Sequence, residues 1–317
     1  MGFELTGETP EERLKELTEK LEQGVSEIFT SGRYEEYLSA MSKFHSYSFG
    51  NVMLILMQNP AASHVAGFHA WKKNFERTVK AGEHGLKILA PCPYRRFVEQ
   101  DKLDKDGKPV LDATGKPLRE RTLVQLMRFR IVTVFDISQT EGKELPSIGV
   151  SELRGDIAHF EELANAITSI SPVPILYEAP HGVAKGCFNH VTEEILIRPG
   201  MSQKQTVKTM LHEISHATLH RRKKNEPPSK DQRTREVEAE SVAYVVCQHF
   251  GIDTSDYSFG YVAGWSKGKE LDELKASLDT IRSCAASLID AIEEKCPTLC
   301  PQKIQPQEKS HGGEARA

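Results

Sequence analysis

Apolar residues in the first thirty positions recur every three or four residues, which is the spacing of one face of an α-helix. They are Leu14, Leu17, Leu21, Val25 and Ile28. Thr9 and Pro10 suit the N-cap and first turn of such a helix, and Glu12 stands where it can complete a capping box. The pattern therefore predicts a helix over residues 9–30, followed by a second helix over 34–45.

An unbroken apolar run over residues 52–57 follows, and Asn59-Pro60 closes it. A run of this kind is typical of a buried element, and here it predicts a third helix packed inside the fold. Asn51 and Gln58 flank the run. Because a side-chain amide can bond main-chain groups, we expect these two residues to anchor the backbone.

Strand signals replace helix signals from about residue 66. A glycine-rich turn precedes a short apolar strand over 86–90, and the polar stretch 101–120 predicts a long hairpin or a protruding loop. Residues 123–140 predict a further strand. Met127, Phe129 and Ile131 share one face and Arg128 and Arg130 the other, and the alternation fades from Val132 to Phe135. Together these elements predict a small α+β domain.

The second half begins after a predicted linker, residues 136–156. Its predicted elements are a helix near 155–170, a strand at 175–177, a hairpin over 186–199, helices over 202–220 and 234–250, and one or two helices that end near 296. The predicted α+β chain is thus divided into a first domain at 1–140 and a second domain at 141–297. Residues 298–317 have little to bury, and we expect a disordered tail there.

Composition narrows the class of protein. The chain is 38% hydrophobic and 27% charged, and its apolar runs are far shorter than the roughly 20 residues that cross a bilayer, so we expect no membrane. Six scattered cysteines fit reduced thiols in a cytoplasmic protein. Residues 71–130 hold 15 Lys and Arg against 8 Asp and Glu, a net charge of +7, whereas residues 131–317 hold 21 against 27, a net charge of −6. The basic segment suggests a polyanion-binding part, although charge alone equally fits a solvated face.

The sequence "HEISH" places His212 and His216 one helical turn apart, with Glu213 beside them. Two imidazoles at this spacing can bind Zn²⁺, and the adjacent glutamate can take the proton of a water that attacks a carbonyl. Apolar flanks, the preceding hairpin and a downstream carboxylate helix argue against a chance pattern. That helix offers Glu236, Glu238 or Glu240 as a third ligand, and its geometry leaves the choice open. We expect His220 and His249 to be ordinary surface or helix-end residues.

The motifs "HEISHATLH" and "REVEAESVAYVV" resemble those of ImmA/IrrE-type zincin domains. The resemblance implies a metallopeptidase-like fold with Zn²⁺ as cofactor and Glu213 as the catalytic base. In that family the third ligand directly precedes an alanine, which implies Glu238, alongside His212 and His216.

Four segments of the first half resemble ArdC-type antirestriction proteins: "YSFGNVMLILMQNP", "AGFHAWKK", "VKAGEHGLKILAP" and "VFDISQTEG". That family, carried by plasmids and conjugative elements, joins a single-stranded-DNA-binding domain to a zincin domain. The resemblance runs from about Gly32 to Trp265. The chain departs from the family in the Glu76–Val79 stretch and in the insertion 101–120.

The residues expected to bind DNA are cations that can track phosphates and aromatic side chains that can stack on bases. They are Trp71, Lys72, Lys73, Arg77, Lys80, Lys87, Arg95 and Arg96. Phe75, Tyr94 and Phe97 are interleaved with them, and Phe75 and Phe97 fit a packed core at least as well.

Three functional hypotheses follow. The first is an antirestriction-type protein of a mobile element that binds single-stranded DNA and carries a zinc metallopeptidase-like domain. The second is a regulatory protease that cleaves a repressor, with the N-terminal domain recognising a protein or peptide. The third is a non-catalytic binding protein in which zinc only braces the fold.

Overall fold

The computed structural model describes residues 3–102, 104, 105, 108–111, 115–145, 157–221, 230–252, 254, 257 and 259–297. The predicted tail, most of the predicted linker and part of the predicted hairpin or loop over 101–120 lie outside these residues. The described helices are α1 Pro10–Thr30, α2 Tyr34–Lys43, α3 Phe49–Gln58, α4 Phe68–Phe75, α5 Ile157–Ile170, α6 Gln203–Leu219, α7 Gln232–His249, α8 Val262–Ser266 and α9 Leu271–Lys295. The described strands are β1 Val65–Gly67, β2 Arg77–Val79, β3 Leu86–Asp101, β4 Arg119–Asp136, β5 Thr140–Gly142, β6 Ile175–Leu176, β7 Gly186–Asn189 and β8 Glu194–Ile197.

Helix α1 begins as its sequence predicts. The Thr9 side chain accepts a hydrogen bond from the Glu12 backbone N–H at 3.1 Å, and the Glu12 carboxylate accepts one from the Thr9 N–H at 3.0 Å. Leu17, Leu21 and Val25 on its apolar face are buried. The capping box and the apolar stripe thus confirm the predicted first helix.

Helix α3 confirms the predicted buried helix, and its two flanking amides reach β3. Asn51 donates to the Leu89 carbonyl at 2.8 Å and accepts from the Leu89 N–H at 2.9 Å. Gln58 makes the same pair of bonds with Lys87, each at 2.8 Å. These side chains satisfy main-chain groups on the edge of β3 as a neighbouring strand would, which confirms their expected anchoring role.

The N-terminal sheet has the order β1-β4-β3 and is dominated by a long antiparallel hairpin. The predicted strand over 86–90 was too short, because β3 stays paired with β4 as far as Asp101, opposite Arg119. Beyond that pair, Lys102 N–H still donates to the Leu118 carbonyl at 2.7 Å. In its described residues, the 101–120 insertion therefore extends the hairpin.

The second half places a small sheet, β6-β8-β7, against helix α6, with α7 and α9 packed on other sides of that helix. Strand β6 runs parallel to β8, and β7 runs antiparallel to it. The mixture of helices and strands, in this order, confirms the predicted α+β class. No helix in the described part of the chain is long and apolar enough to cross a membrane.

The N-terminal helices pack directly on the second half. Tyr34 Oη lies 2.9 Å from Ser241 Oγ on α7, and Lys275 on α9 pairs with Glu22 on α1 at 2.7 Å. Buried apolar residues from both halves form one continuous cluster. The boundary at residue 140 stays a prediction from the sequence. The residues on either side of it contribute to one common core.

Candidate metal centre

Helix α6 turns its two motif histidines toward α7. Ser202 caps the helix by accepting from the Gln205 N–H at 3.3 Å. Its apolar residues, among them Met210 and Ile214, are fully buried. The Nε2 atoms of His212 and His216 lie 3.1 Å apart, so both imidazoles point at the same place, as the i, i+4 spacing predicts.

Glu236 is the carboxylate that meets the two imidazoles. Its Oε2 lies 3.6 Å from His212 Nε2 and 3.6 Å from His216 Nε2. One donor atom from each of the three residues falls within 4.8 Å of the others. Ligands about 2.0–2.1 Å from a tetrahedral metal ion are separated by about 3.3 Å. The observed separations bracket that value, so this donor set fits a zinc-like divalent ion.

Glu238 lies elsewhere, which corrects the expectation that it completes the site. Its side chain is fully buried, and its Oε2 is 3.0 Å from His220 Nε2. Lys230 Nζ and Ser277 Oγ donate to the other oxygen at 2.6 and 2.8 Å. The physical reason is helical rotation, since two residues turn a side chain by about 200° and so place Glu238 opposite Glu236.

Glu213 is held by the sheet beside it. The Phe188 N–H on β7 donates to Glu213 Oε2 at 2.8 Å, and burial raises the pKa of the Glu213 carboxyl. Strand β7 comes this close because residue 186 is glycine. A Cβ there would stand 2.4 Å from a methyl carbon of Thr209 and 3.0 Å from Glu213 Cγ. The small residue thus lets the strand pass directly over the motif.

The outer nitrogen of each imidazole faces a further polar group. His212 Nδ1 lies 3.1 Å from Glu240 Oε2, and His216 Nδ1 lies 2.9 Å from His220 Nδ1. Burial disfavours a charged His212, but contacts with Glu236 and Glu240 outweigh it and raise the pKa of His212 to about 10. Contacts with His212 and His216 lower the pKa of Glu236. The metal-free site is therefore electrostatically arranged to hold positive charge.

His220 was expected to be an ordinary helix-end residue, and the structure corrects this. Its side chain is almost fully buried between His216 and Glu238. Burial lowers the pKa of His220 despite the nearby carboxylate. The sequence signal was the third histidine, four residues after His216, on the same face of the helix.

Trp71 is a core residue, which corrects its expected role in stacking on DNA bases. Its side chain is fully buried, and its Nε1–H donates to the Phe135 carbonyl at 2.9 Å. Phe75 packs beside it, with ring centroids 5.2 Å apart. The neighbouring Lys72 and Lys73 are exposed, because they lie on the solvent side of the short helix α4.

Three of the predicted DNA-binding cations are tied to the protein itself. Arg77 donates to Thr140 Oγ1 at 2.7 Å and to the Thr140 carbonyl at 3.0 Å, which joins β2 to β5. Lys80 Nζ donates to the Ser138 carbonyl at 2.9 Å, and Lys87 Nζ to Thr133 Oγ1 at 2.8 Å. In the folded chain these three side chains therefore bind other parts of the protein.

Arg95 and Arg96 are both exposed, on opposite faces of the β3–β4 hairpin. Arg96 shares a face with Tyr94, and Arg128 from β4 lies over the Tyr94 ring, 5.3 Å from its centroid. We call this the arginine face: Tyr94, Arg96, Arg128 and Arg130. Arg95 belongs to the other face, the apolar face, which carries exposed Phe97, Leu123, Met127 and Phe129.

Two known protein families have sequence models that match this chain, one in each half. The sequence model for the N-terminal domain of anti-restriction factor ArdC matches residues 8–135. The model of peptidase family M78, the IrrE N-terminal-like domain, matches residues 176–248. The chain has the ArdC-type two-domain architecture. The sequence-based assignment to this type is therefore confirmed.

One solved structure and two curated proteins are similar to this chain. The Mn(II)-bound crystal structure of the antirestriction protein ArdC from plasmid R388 is similar in fold, with a TM-score of 0.50 at 16% identity over 87% of this chain and 97% of that one. An uncharacterised Bacillus anthracis protein is 26% identical over 96% of this chain and 55% of its own length. DNA primase TraC of Escherichia coli is 28% identical over 62% of this chain and 14% of its own length. This ArdC-type chain thus spans about half of the first curated relative and about one-seventh of the second.

Proposed function

We propose that this chain is an antirestriction protein of a mobile element that binds single-stranded DNA and acts as a metallopeptidase on a peptide substrate in the cytoplasm. The observation that carries the proposal is the convergence of His212, His216 and Glu236 beside the buried Glu213, in a chain of ArdC-type architecture. Zn²⁺ is the proposed ion because two imidazoles and one carboxylate are a catalytic zinc set. The Mn(II) bound in the R388 protein, which is similar in fold, supports a divalent ion in this proposal.

In this proposal, Glu213 is the base. When bound, the metal supplies Lewis acidity to the substrate carbonyl and to the attacking water. The Phe188 N–H fixes one oxygen of the Glu213 carboxylate, which leaves the other to take the proton of the water. Because burial raises the pKa of Glu213, its carboxylate is a stronger base than an exposed glutamate would be.

Strand β7 is the proposed place for the peptide. Among the described strands it pairs only with β8, so its other edge is open for an extended chain. Phe188 on β7 already touches Glu213 through its main chain. A peptide that added a strand at this edge would therefore lie beside the base.

The arginine face is the proposed DNA surface. Arg96, Arg128 and Arg130 are exposed cations on one side of a projecting hairpin, and Tyr94 offers an aromatic ring among them. Cations that follow phosphates and aromatic rings that stack on bases are the two features that bind single strands without sequence preference. Lys72 and Lys73 are exposed candidates on α4. The TraC relative, a DNA primase by name, supports a DNA-associated role.

The apolar face of the hairpin favours a second candidate function, a protease that recognises and cleaves a repressor. Its exposed Phe97, Met127 and Phe129 are each more than half accessible, which is more typical of a protein-binding surface than of a DNA-binding one. In that case the hairpin would deliver a protein substrate to the second domain.

The test is Glu213→Gln in the full-length chain, assayed in parallel for DNA protection from restriction and for peptide cleavage. We expect the variant to keep its metal and its single-stranded-DNA affinity and to lose cleavage. Loss of cleavage with unchanged DNA protection would separate the two activities and favour the repressor-cleaving protease. A wild-type chain that shows no salt-sensitive DNA binding would remove the DNA half of the proposal.

A further inference from the structure

A buried chain of polar side chains leads from His216 away from the candidate metal centre. His216 Nδ1 lies 2.9 Å from His220 Nδ1, and His220 Nε2 lies 3.0 Å from Glu238 Oε2. Glu238 is fully buried and His220 almost so. The chain joins α6 to α7 and, through Ser277, to α9.

The hydrogen-bond donors in this chain fix where each proton lies. Lys230 Nζ and Ser277 Oγ both donate to Glu238 Oε1, and Oε2 is left to accept from His220 Nε2–H. A neutral imidazole with its proton on Nε2 has a lone pair on Nδ1. His220 Nδ1 therefore accepts from His216 Nδ1–H, which places the lone pair of His216 on Nε2.

That Nε2 atom is the one that faces the centre, 3.1 Å from His212 Nε2 and 3.6 Å from Glu236 Oε2. We propose that Glu238 and His220 are positioning residues that hold His216 in the tautomer able to bind a divalent metal through Nε2. The inference rests on the proposed function in one respect, the assignment of His216 as a ligand.

The two histidines of the motif are supported differently. His212 Nδ1 faces Glu240 directly, and the Glu240 side chain is one-quarter exposed. His216 is supported through a second imidazole by a carboxylate that water does not reach. Ligand histidines commonly donate their outer N–H to a carboxylate, and loss of such a partner typically costs 10- to 100-fold in metal affinity. In the buried chain behind His216, replacement of one carboxylate oxygen by an amide nitrogen can reverse the direction of every hydrogen bond.

Glu238→Gln is that change. Lys230 and Ser277 both donate to one oxygen, so the amide oxygen of glutamine must occupy that place and its NH₂ group must face His220 Nε2. His220 Nε2 then has to accept, His220 Nδ1–H donates to His216 Nδ1, and the His216 proton moves to Nε2. The side chain keeps its size, and the ligand atom loses its lone pair.

The experiment measures Zn²⁺ affinity of the full chain by competition with a chromogenic chelator. We expect Glu238→Gln to bind Zn²⁺ 10- to 100-fold more weakly than the wild type. Glu293→Gln is the matched control, since Glu293 is also a buried carboxylate beside a histidine, 3.0 Å from His249 Nε2. His249 lies about 16 Å along α7 from Glu238, so this control should bind Zn²⁺ normally.

A second measurement tests the tautomers directly and needs no bound metal. Long-range ¹⁵N–¹H NMR of the metal-free chain reports which ring nitrogen carries the proton. We expect protons on His216 Nδ1 and His220 Nε2 in the wild type, and on His216 Nε2 and His220 Nδ1 in Glu238→Gln. The opposite tautomers in the wild type, or unchanged Zn²⁺ affinity in Glu238→Gln, would overturn the proposal.

Failure of the proposed metal site gives a different result. If His212→Ala keeps full Zn²⁺ affinity, the ligand set is wrong even when the tautomers are as expected. If Glu236→Gln binds Zn²⁺ normally and Glu238→Gln not at all, Glu238 is itself a ligand and the positioning role is overturned.

Discussion

Three glutamates spaced two residues apart on α7 have three different environments. Glu236 faces both imidazoles, Glu238 is buried against His220, and Glu240 lies beside the outer nitrogen of His212. Helical rotation explains this division, because residues four apart share a side and the residue between them lies opposite. At the scale of single residues, the site therefore depends on the order of carboxylates along one helix.

Removal of the ligand carboxylate should weaken metal binding more than removal of its neighbour. We expect Glu236→Gln to lower Zn²⁺ affinity more than about 100-fold, because it removes a charged ligand from a three-residue set. Glu240→Gln should lower Zn²⁺ affinity about 10-fold, because Glu240 contacts only the outer nitrogen of His212. Chelator competition on both variants measures the difference. Equal affinities would contradict the assignment of Glu236.

The relative placement of residues that lie close together on one helix was predictable from the sequence. His212, Glu213 and His216 lie within one helical turn, and their mutual arrangement needs no knowledge of the rest of the fold. Trp71 was not predictable, because its neighbours Lys72 and Lys73 suggest an exposed surface while the side of α4 that packs is decided by β4. Glu236 could not be chosen from the sequence, since the choice depends on how α7 faces α6.

At the scale of elements, the β3–β4 hairpin separates charge from apolar surface. Adjacent residues on a strand point to opposite faces, so Arg95 and Arg96 lie in different surroundings although they are neighbours in sequence. The alternation of apolar residues and arginines in β4 was correctly predicted. The length of the hairpin was not, because the polar residues of its outer part carry no strand pattern.

The two faces of the hairpin should differ in DNA binding. We expect the double variant Arg96→Ala with Arg128→Ala to weaken binding to single-stranded DNA and to reduce the slope of log affinity against log salt by about 1.4, or about 0.7 for each lost phosphate contact. Arg95→Ala is the control and should change the slope by less, because it lies on the apolar face. Anisotropy titrations at several salt concentrations measure the slopes. A larger effect from Arg95 would place the DNA on the other face.

Asp136 fastens the end of β4 to the segment before β1. Its Oδ1 accepts from the Ser63 and His64 N–H groups at 2.9 and 3.1 Å, and its Oδ2 accepts from Ser138 N–H at 3.0 Å. Burial would raise the pKa of this carboxyl, but these bonds outweigh it and lower the pKa. The folded state therefore favours the ionised form. This stabilisation is complete above the unfolded-state pKa and is lost as the pH falls through the lower folded-state pKa.

Asp136→Asn should accordingly destabilise the protein by about 2 kcal/mol at pH 7, since hydrogen bonds to a charged group are lost. The difference from the wild type should shrink below about pH 4, where the Asp136 carboxyl of the unfolded wild-type chain begins to take up a proton while the folded one stays ionised. Urea unfolding of both proteins at pH 7 and at pH 3 measures it. A difference that stays constant or grows toward pH 3 would show that Asp136 does not act through its charge.

At the scale of the whole molecule, the two parts share one core and one set of helix contacts. His249 at the end of α7 lies 3.0 Å from the Ser42 carbonyl of α2 and 3.0 Å from Glu293 on α9. Tyr34 contacts Ser241 on the same helix α7 that carries Glu236. The helix that carries Glu236 is thus packed against the N-terminal helices, and this shared packing was not visible in a sequence whose pattern predicts two separate domains.

The central claim is that His212, His216 and Glu236 hold a divalent ion beside Glu213. It is tested most directly by the metal content of the purified full-length chain, measured by mass spectrometry for the wild type, His212→Ala and Glu213→Gln. The account predicts about one divalent ion per chain in the wild type and in Glu213→Gln, and little in His212→Ala. Equal metal content in His212→Ala and the wild type would contradict it.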